Sequence, residues 1–452
     1  MKQILFILVS IVALGYFWRQ ITAIRQAIFL GKDEAIEGDT SQRWNNVLLI
    51  AFGQKKMFKR WIPAVFHLFI YVAFLFTQIE LIEIFIDGIF GVHRFFADKL
   101  GILYTMIINI IELLSVLAFV ATIVFLSRRN LLKIPRFVKP EMNGWPKLDG
   151  NLILVFELLL LIGIFSMNGA DVVLQGRDPS HFPDTGTFMV SSWLGPALFG
   201  SFGDGALMII ERMGWWLHII MVFVFLNYLP KSKHLHILLA FPNTFYSRLK
   251  PRGEMDNMPA IMNEVKSMMD PNATFDDAPM DEELPEFGAN DITGLPWIDI
   301  LASYTCTECG RCTSVCPANL TGKKLSPRKI MMDIRDRAEE IYTKIQSGDN
   351  EYAANKEQPL SKDNFDDGKS LFDYISREEI HACTSCNACV EACPVLISPL
   401  EPILNLRRYE ILTESAGPAE WLPMFNAIEN SGAAWSMNID REQWTTQGAD
   451  SS

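Results

Sequence analysis

Positive charge is scarce in this sequence. The 452 residues hold 40 Lys and Arg against 52 Asp and Glu, a net charge of −12. No basic surface of the kind that binds nucleic acid is encoded. Histidine is rarer still, with seven copies, and no constellation for acid–base or nucleophilic catalysis is visible. Cysteine is absent before Cys306 and after Cys393. What the chain has in quantity is apolar: half of it is hydrophobic, 31 residues are Phe, and mean hydropathy is +0.17 despite the negative charge. Long apolar runs fill the first half, and acidic and polar stretches dominate after about residue 251. The length allows two or three domains, here an apolar membrane part joined to an acidic soluble part.

Apolar runs of membrane-spanning length lie at about 3–18, 61–86, 101–126, 151–168 and 206–229. The first begins with Met1-Lys2, as a signal peptide could. Trp18-Arg19-Gln20 follows it in place of a small-x-small cleavage site, which favours a retained anchor. Lys and Arg crowd segments 19–60, 127–150 and 230–252, whereas the alternate loops hold only Arg94, Lys99 and Arg177. By the positive-inside bias this is a multi-pass protein of a bacterial inner (cytoplasmic) membrane, with a periplasmic N-terminus. Everything after Tyr228 is then cytoplasmic.

Two stretches organise that cytoplasmic part. One is Cys306-Thr-Glu-Cys309-Gly-Arg-Cys312-Thr-Ser-Val-Cys316-Pro317, and the other is Cys383-Thr-Ser-Cys386-Asn-Ala-Cys389-Val-Glu-Ala-Cys393-Pro394. Together they use all eight cysteines of the chain. Each follows C-x2-C-x2-C-x3-C-P, the run of bacterial two-cluster ferredoxins, in which the last cysteine crosses to the other cluster. One [4Fe-4S] cluster is therefore expected on Cys306, Cys309, Cys312 and Cys393, and a second on Cys383, Cys386, Cys389 and Cys316. Zinc sites draw their ligands as two spaced pairs and have no use for the C-P ending. A reducing cytoplasm disfavours disulfides. An acidic linker is expected over 251–295, with a short amphipathic helix near 258–269. A helical ferredoxin domain follows over 296–412, because the mostly polar 317–382 stretch, with Arg328-Lys-Ile-Met-Met-Asp-Ile-Arg, favours helix. The 413–452 tail, with Trp421, Trp435 and Trp444, packs either on the cluster domain or on another subunit.

Histidines inside a bilayer are costly unless paired or liganded. His67 lies about two turns inside the second span, His218 inside the fifth, and His234 and His236 just after Pro230. Two imidazoles on facing helices can grip a haem iron. If one helix ran from His218 to His236, they would lie roughly 27 Å apart along its axis, too far to share an iron. His67 therefore pairs with only one of them. Its depth favours His236 or His234, for a haem near the clusters. His218 would then serve a deeper haem, but the second span offers only Thr77 and Gln78 there. Either the deep haem is absent or His218 is the partner of His67; a hydrogen-bonded core histidine is the plain alternative. His93 and His181 read as surface residues of outer loops, and His381 as a shield for a cluster. The carboxylates Glu80, Glu83, Glu112, Glu157 and Glu211 read as mostly lying near span ends, where they cost little.

Residues 1–250 resemble the membrane subunit of respiratory nitrate reductase and the cytochrome b subunit of heterodisulfide reductase. The likeness rests on five spans, His67, His218 and the stretch Pro230-Lys-Ser-Lys-His-Leu-His236-Ile. That family supplies two histidines from the second span; this chain has one. Residues 296–440 look like the helical ferredoxin part of heterodisulfide-reductase-like oxidoreductases, through Tyr304-Thr-Cys306-Thr-Glu-Cys309-Gly-Arg-Cys312, Arg407-Arg408 and Asn426-Ala-Ile-Glu429-Asn430. The resemblance implies a quinone oxidoreductase using menaquinone or ubiquinone. Its partner would be a separate CCG-domain iron–sulfur subunit or a flavoprotein such as an electron-transferring flavoprotein. The fold expected is all-α: a five-helix transmembrane bundle, then a helical ferredoxin domain with two [4Fe-4S] clusters, and one or two haems b. Glu80, Glu83, Glu112 and His234 are candidates for a quinone site. The rival reading is a membrane-anchored ferredoxin without haem or quinone site, which wires a larger respiratory complex.

Overall fold

The computed structural model describes residues 2–251, 253–269 and 287–435, and among them no β-strand forms beyond two isolated bridges. The Asp276-Asp277 and Asp281-Glu282-Glu283 charges of the expected linker, and Trp444 of the tail, lie outside the described residues. In chain order the first half folds into α1 (Lys2–Ile28), α2 (Thr40–Asn46), α3 (Trp61–Phe90), α4 (Ala97–Leu100), α5 (Ile102–Asn130), α6 (Trp145–Arg177), α7 (Ser191–Phe199) and α8 (Asp204–Tyr228). Five of these, α1, α3, α5, α6 and α8, are long and apolar enough to cross a membrane. They coincide with the five apolar runs but overrun them. The 151–168 run, for instance, is only the middle of the 33-residue α6. A helix satisfies its own backbone in lipid and need not stop where the side chains turn polar.

Lipid-facing helices gain little from burying apolar side chains against one another, so close backbone contact through small residues takes over. The α6–α8 pair shows this. A Cβ on Gly214 would meet Met167 N at 2.6 Å and Gly163 O at 2.8 Å, and a Cβ on Gly163 would meet His218 N at 3.0 Å. Phe6 of α1 is buried against Phe85 of α3 and Trp215 and Phe223 of α8, closing the bundle on its third side.

The fifth span does not continue to His236. Pro230 sits in a 3-10 turn over Leu229–Lys231, Ser232 is extended, and a second turn over Lys233–Leu235 leads into α9 (His236–Tyr246). Without its N–H, proline cannot carry the helix on in register. His218 and His236 therefore sit on different helices, and the axial separation reckoned for one continuous helix does not apply.

The second half comprises α10 (Pro259–Met269), α11 (Trp297–Thr305), α12 (Pro317–Leu320), α13 (Pro327–Ser347), α14 (Arg377–His381), α15 (Ala388–Ala392), α16 (Leu400–Arg408) and α17 (Trp421–Ser431). Between the cysteine runs only α13 is long. It buries Ile330, Ile334, Ala338 and Ile341 at helical spacing and ends at Gly348, whose φ of 66° suits glycine. Arg337, fully buried on α13, holds both Asp291 and Asp367. Residues 287–295 thus pack into the cluster domain rather than the linker: Ala289 N also donates to Asn405 O at 3.1 Å. Trp421 stacks edge-on against His381 at 5.0 Å, so this part of the tail packs on the cluster domain.

That domain docks on the end of the bundle where α3 begins and α5 ends. Lys32 N donates to Leu295 O at 2.8 Å and Trp297 N to Lys32 O at 3.0 Å. Arg60 reaches Ser314 Oγ at 2.7 Å, Asn243 reaches Val395 O at 2.7 Å, and Lys59 pairs with Glu391. Arg328, fully buried, donates to Arg136 O and to Glu141, both at 2.7 Å.

Gly214→Val should force α6 and α8 apart. Overpacking of this kind costs on the order of 1–3 kcal/mol. A thermal aggregation scan in detergent is expected to show a midpoint several degrees lower, and an unchanged midpoint would show that the helices do not touch there.

Candidate redox centre at the docked end of the bundle

Each cysteine run opens as a loop with the same backbone device. Glu308 and Gly310 flank Cys309 with φ of 51° and 68°, and Ser385 and Asn387 flank Cys386 with φ of 55° and 59°. A left-handed residue on either side of the middle cysteine curls the loop around its three thiols. The fourth thiol in each case comes from the other run. Cys306, Cys309, Cys312 and Cys393 line one cavity, together with Arg311 and Met331. Cys383, Cys386, Cys389 and Cys316 line the other, together with Leu325 and Ile403. Pro317 opens α12 immediately after Cys316 and carries the chain away.

Among the described residues no three His, Cys, Asp or Glu side chains converge tightly enough for one metal ion. Four thiols around a wider space suit a multi-iron cluster better than a single zinc. Backbone N–H groups point at the sulfurs: Ser385 N lies 3.4 Å from Cys383 Sγ and Ile397 N 3.3 Å from Cys393 Sγ. Burial pushes the Cys306 thiol up to about 12 and Cys393 to about 11. In these pockets it would be iron that keeps them as thiolates.

The two cavities differ in their surroundings. The Cys306 cavity faces the bundle. Arg311, which lines it, donates to Lys56 O at 3.2 Å, just ahead of α3, and acts on Cys309 and Cys393. Arg136 acts on Cys309 and Lys56 on Cys393. In the other cavity Cys386 is exposed, and Arg407 acts on Cys383.

Beneath the first cavity stand the histidines. His67 lies within electrostatic reach of both His236 and Arg311, and His234 within reach of His236 and His67. The His234 and His236 rings are 5.3 Å apart. His67 donates from Nδ1 to Gln54 Oε1 at 3.1 Å, and His236 from Nδ1 to Lys233 O at 3.0 Å. Each Nε2 is left as a lone pair on an oriented ring, the arrangement of a metal-ligating imidazole. Burial holds His236 below the usual imidazole range, which keeps it neutral. His218 stands apart, its Nδ1 on Leu160 O at 3.1 Å, with no other histidine acting on it.

Sequence reasoning missed the residues that join these sites. Lys233, buried, orients His236 through its carbonyl, while its ammonium pairs with Glu308 at 2.5 Å and with Asp149 at 3.7 Å. Glu308 also holds Arg335 at 2.9 Å. Two readings need correction. His93 is not a plain surface residue, since its Nε2 lies 3.1 Å from Asp171 Oδ1. Glu80, Glu83, Glu112 and Glu211 are buried rather than at cheap span ends, and Glu157 sits mid-span in α6. His381 bonds Glu410 at 2.7 Å. His181 is exposed, as expected, and pairs locally with Asp178.

Fold and site together define an all-α protein with five helices of membrane-crossing kind and a docked 4Fe-4S domain. Residues 305–397 match the 4Fe-4S dicluster domain family. Along 99% of its length the chain is 27% identical to the probable iron-sulfur-binding oxidoreductase FadF of Bacillus subtilis, covering 61% of that protein. It is 25% identical over 96% of its length to an EtfAB:quinone oxidoreductase of Syntrophomonas wolfei, covering 57% of it. A probable membrane-anchored ferredoxin of Chromohalobacter salexigens is 32% identical over 36% of this chain and 25% of its own. The chain thus spans about three-fifths of the length of the first two relatives. No solved structure matches it.

Lys233→Met would leave Asp149 without its paired ammonium and Glu308 with Arg335 alone, a loss of up to about 3–5 kcal/mol; a lowered thermal midpoint with weakened visible absorbance of the clusters is expected. Cys393→Ser should alter the same electron-paramagnetic signal as Cys306→Ser, and Cys316→Ser the same signal as Cys383→Ser. Loss in the opposite pairing would refute the crossed arrangement.

Proposed function

We propose that this protein is a membrane electron-transfer subunit passing electrons between a soluble cytoplasmic donor and a membrane quinone, menaquinone or ubiquinone. Two [4Fe-4S] clusters and a haem b would supply the one-electron carriers between them. The observation that carries the reading is the convergence of His67, His234 and His236 under the Cys306 cavity, each of His67 and His236 anchored through Nδ1.

In this reading Cys383, Cys386, Cys389 and Cys316 hold the outer cluster, near the donor. Cys306, Cys309, Cys312 and Cys393 hold the inner one. Arg311, Arg136 and Lys56 surround the inner cavity with positive charge, which favours the reduced, more negative state there and draws electrons toward the membrane. His67 and His236 hold the haem, Gln54 and Lys233 set their rings, and His218 remains a hydrogen-bonded core residue or the ligand of a second haem. The name of the Syntrophomonas relative supports an electron-transferring flavoprotein as donor and quinone as acceptor; a CCG-domain subunit is the other candidate partner. The likeness of residues 1–250 to the nitrate reductase and heterodisulfide reductase membrane subunits points the same way. The bacterial inner membrane, with the cluster domain cytoplasmic, fits the Lys and Arg bias.

The match to a membrane-anchored ferredoxin favours a second reading, an anchored relay without haem. His67→Ala separates the two. Under the first, the reduced-minus-oxidised b-type haem band, and its response to quinol, should fall at least tenfold while dithionite still bleaches the clusters. A wild-type protein with cluster bleaching and no haem band would leave only the anchored ferredoxin.

A further inference from the structure

At the end of the bundle opposite the clusters, α3, α5, α6 and α8 enclose a set of ionisable groups that the redox site does not use. Arg94, at a left-handed φ of 54°, turns inward and is buried. It donates to Asp171 at 3.2 Å, to Asn168 at 2.7 Å and to Tyr104 Oη at 3.3 Å. Tyr104 in turn donates to Glu83 at 2.8 Å. Glu80, only 3% exposed, has its Oε1 without a hydrogen-bond partner, 3.8 Å from Arg94 Nη1.

Neighbouring carboxyls have structural duties. Glu112 accepts from Val190 N and Ser191 at the start of α7, Asp87 accepts from Arg94 N and Phe95 N, and Glu211 pairs with Arg212. Glu83, which also accepts from Phe96 N at 2.8 Å, and Asp171, which also accepts from Gln175 Nε2 at 3.0 Å, share the single guanidinium of Arg94 with Glu80. With all three ionised, two negative charges would exceed that guanidinium in a low-dielectric interior, and bound protons would restore the balance. His93 opens the cluster to the surface: its side chain is 29% exposed, and its Nε2 is on Asp171. Ionisable groups inside a bundle mark proton paths.

We propose that His93, Asp171, Glu83 and Glu80 form a proton-exchange path between the surface at His93 and quinone bound within the bundle. The path rests on the quinone reading above. Reduction of the quinone takes two electrons from the redox centre and two protons, forming one O–H bond at each quinone oxygen; oxidation of the quinol returns both. His93 exchanges its proton with the medium and with Asp171, Tyr104 with Glu83, and the free oxygen of Glu80 is the inward terminus. Between Asp171 and Tyr104 only the guanidinium of Arg94 intervenes; it stays protonated, so a mobile carrier such as water would have to make that step.

The test uses the full chain in liposomes, reduced with dithionite and oxidised by a short-chain menaquinone analogue across a pH series. Glu80→Gln and His93→Ala should each slow turnover at least tenfold while dithionite reduces the protein as fully as wild type. Added imidazole should restore His93→Ala several-fold, as a small proton carrier at an open mouth would; a purely structural histidine would not respond. Wild-type rates and pH profile in both variants, or a slow His93→Ala that imidazole leaves unchanged, would overturn the path alone. A wild-type chain that reduces no quinone would overturn the quinone reading and the path with it.

Discussion

The buried chain of charges from Asp149 through Lys233 and Glu308 to Arg335 is the constraint on which the rest of the structure depends. Asp149 belongs to α6, Lys233 to the turn after the fifth span, Glu308 to the first cysteine loop and Arg335 to α13. Buried charges are stable only when every partner is present. The network therefore holds membrane bundle, histidine turn and cysteine loop in one register. It also offsets the strain of Glu308, a non-glycine residue held at positive φ beside Cys309. The same lysine orients His236 through its carbonyl, so the spacing between the two halves of the site is set by one side chain and its own backbone.

Around that tie the molecule has two chemical ends. At the docked end, Arg311, Arg136 and Lys56 gather near thiols, and imidazoles sit close by. At the far end, carboxyls outnumber the one buried guanidinium, with His93 at the mouth. Between them, Glu157 and His218 apart, the bundle is apolar and closely packed, with Gly163 and Gly214 letting α6 and α8 touch. One end gathers thiols and imidazoles, and the other gathers carboxyls around one guanidinium. The separation keeps the two kinds of polar site from short-circuiting each other's electrostatics in a medium of low dielectric.

The eight cysteines and the five spans could be read from the sequence because each depends on local pattern. C-x2-C-x2-C-x3-C-P fixes three thiols within one loop whatever surrounds it, and a run of apolar residues of membrane length is helical because lipid offers no other backbone partner. Two runs in one chain also made a crossing fourth cysteine the natural expectation, and the structure brings Cys393 to the first loop and Cys316 to the second. His67 and His236 stood out because imidazoles in apolar surroundings are conspicuous.

Only tertiary structure could decide which partners meet. Nothing local ties Lys233 to Glu308 or Arg94 to Asp171, because these are contacts between segments far apart in the chain. The break at Pro230 was visible as a proline, but the turn of His236 toward His67 depends on how α9 packs against α11 and Asn243 on Val395. The carboxylates were misread for the same reason. Their positions along a span suggested cheap ends, and burial by neighbouring helices made them costly. Pattern along the chain determined the elements and the metal-ligand types, since those follow from nearest neighbours. Packing determined the order of the sites and the charges between them, since those follow from distance through space.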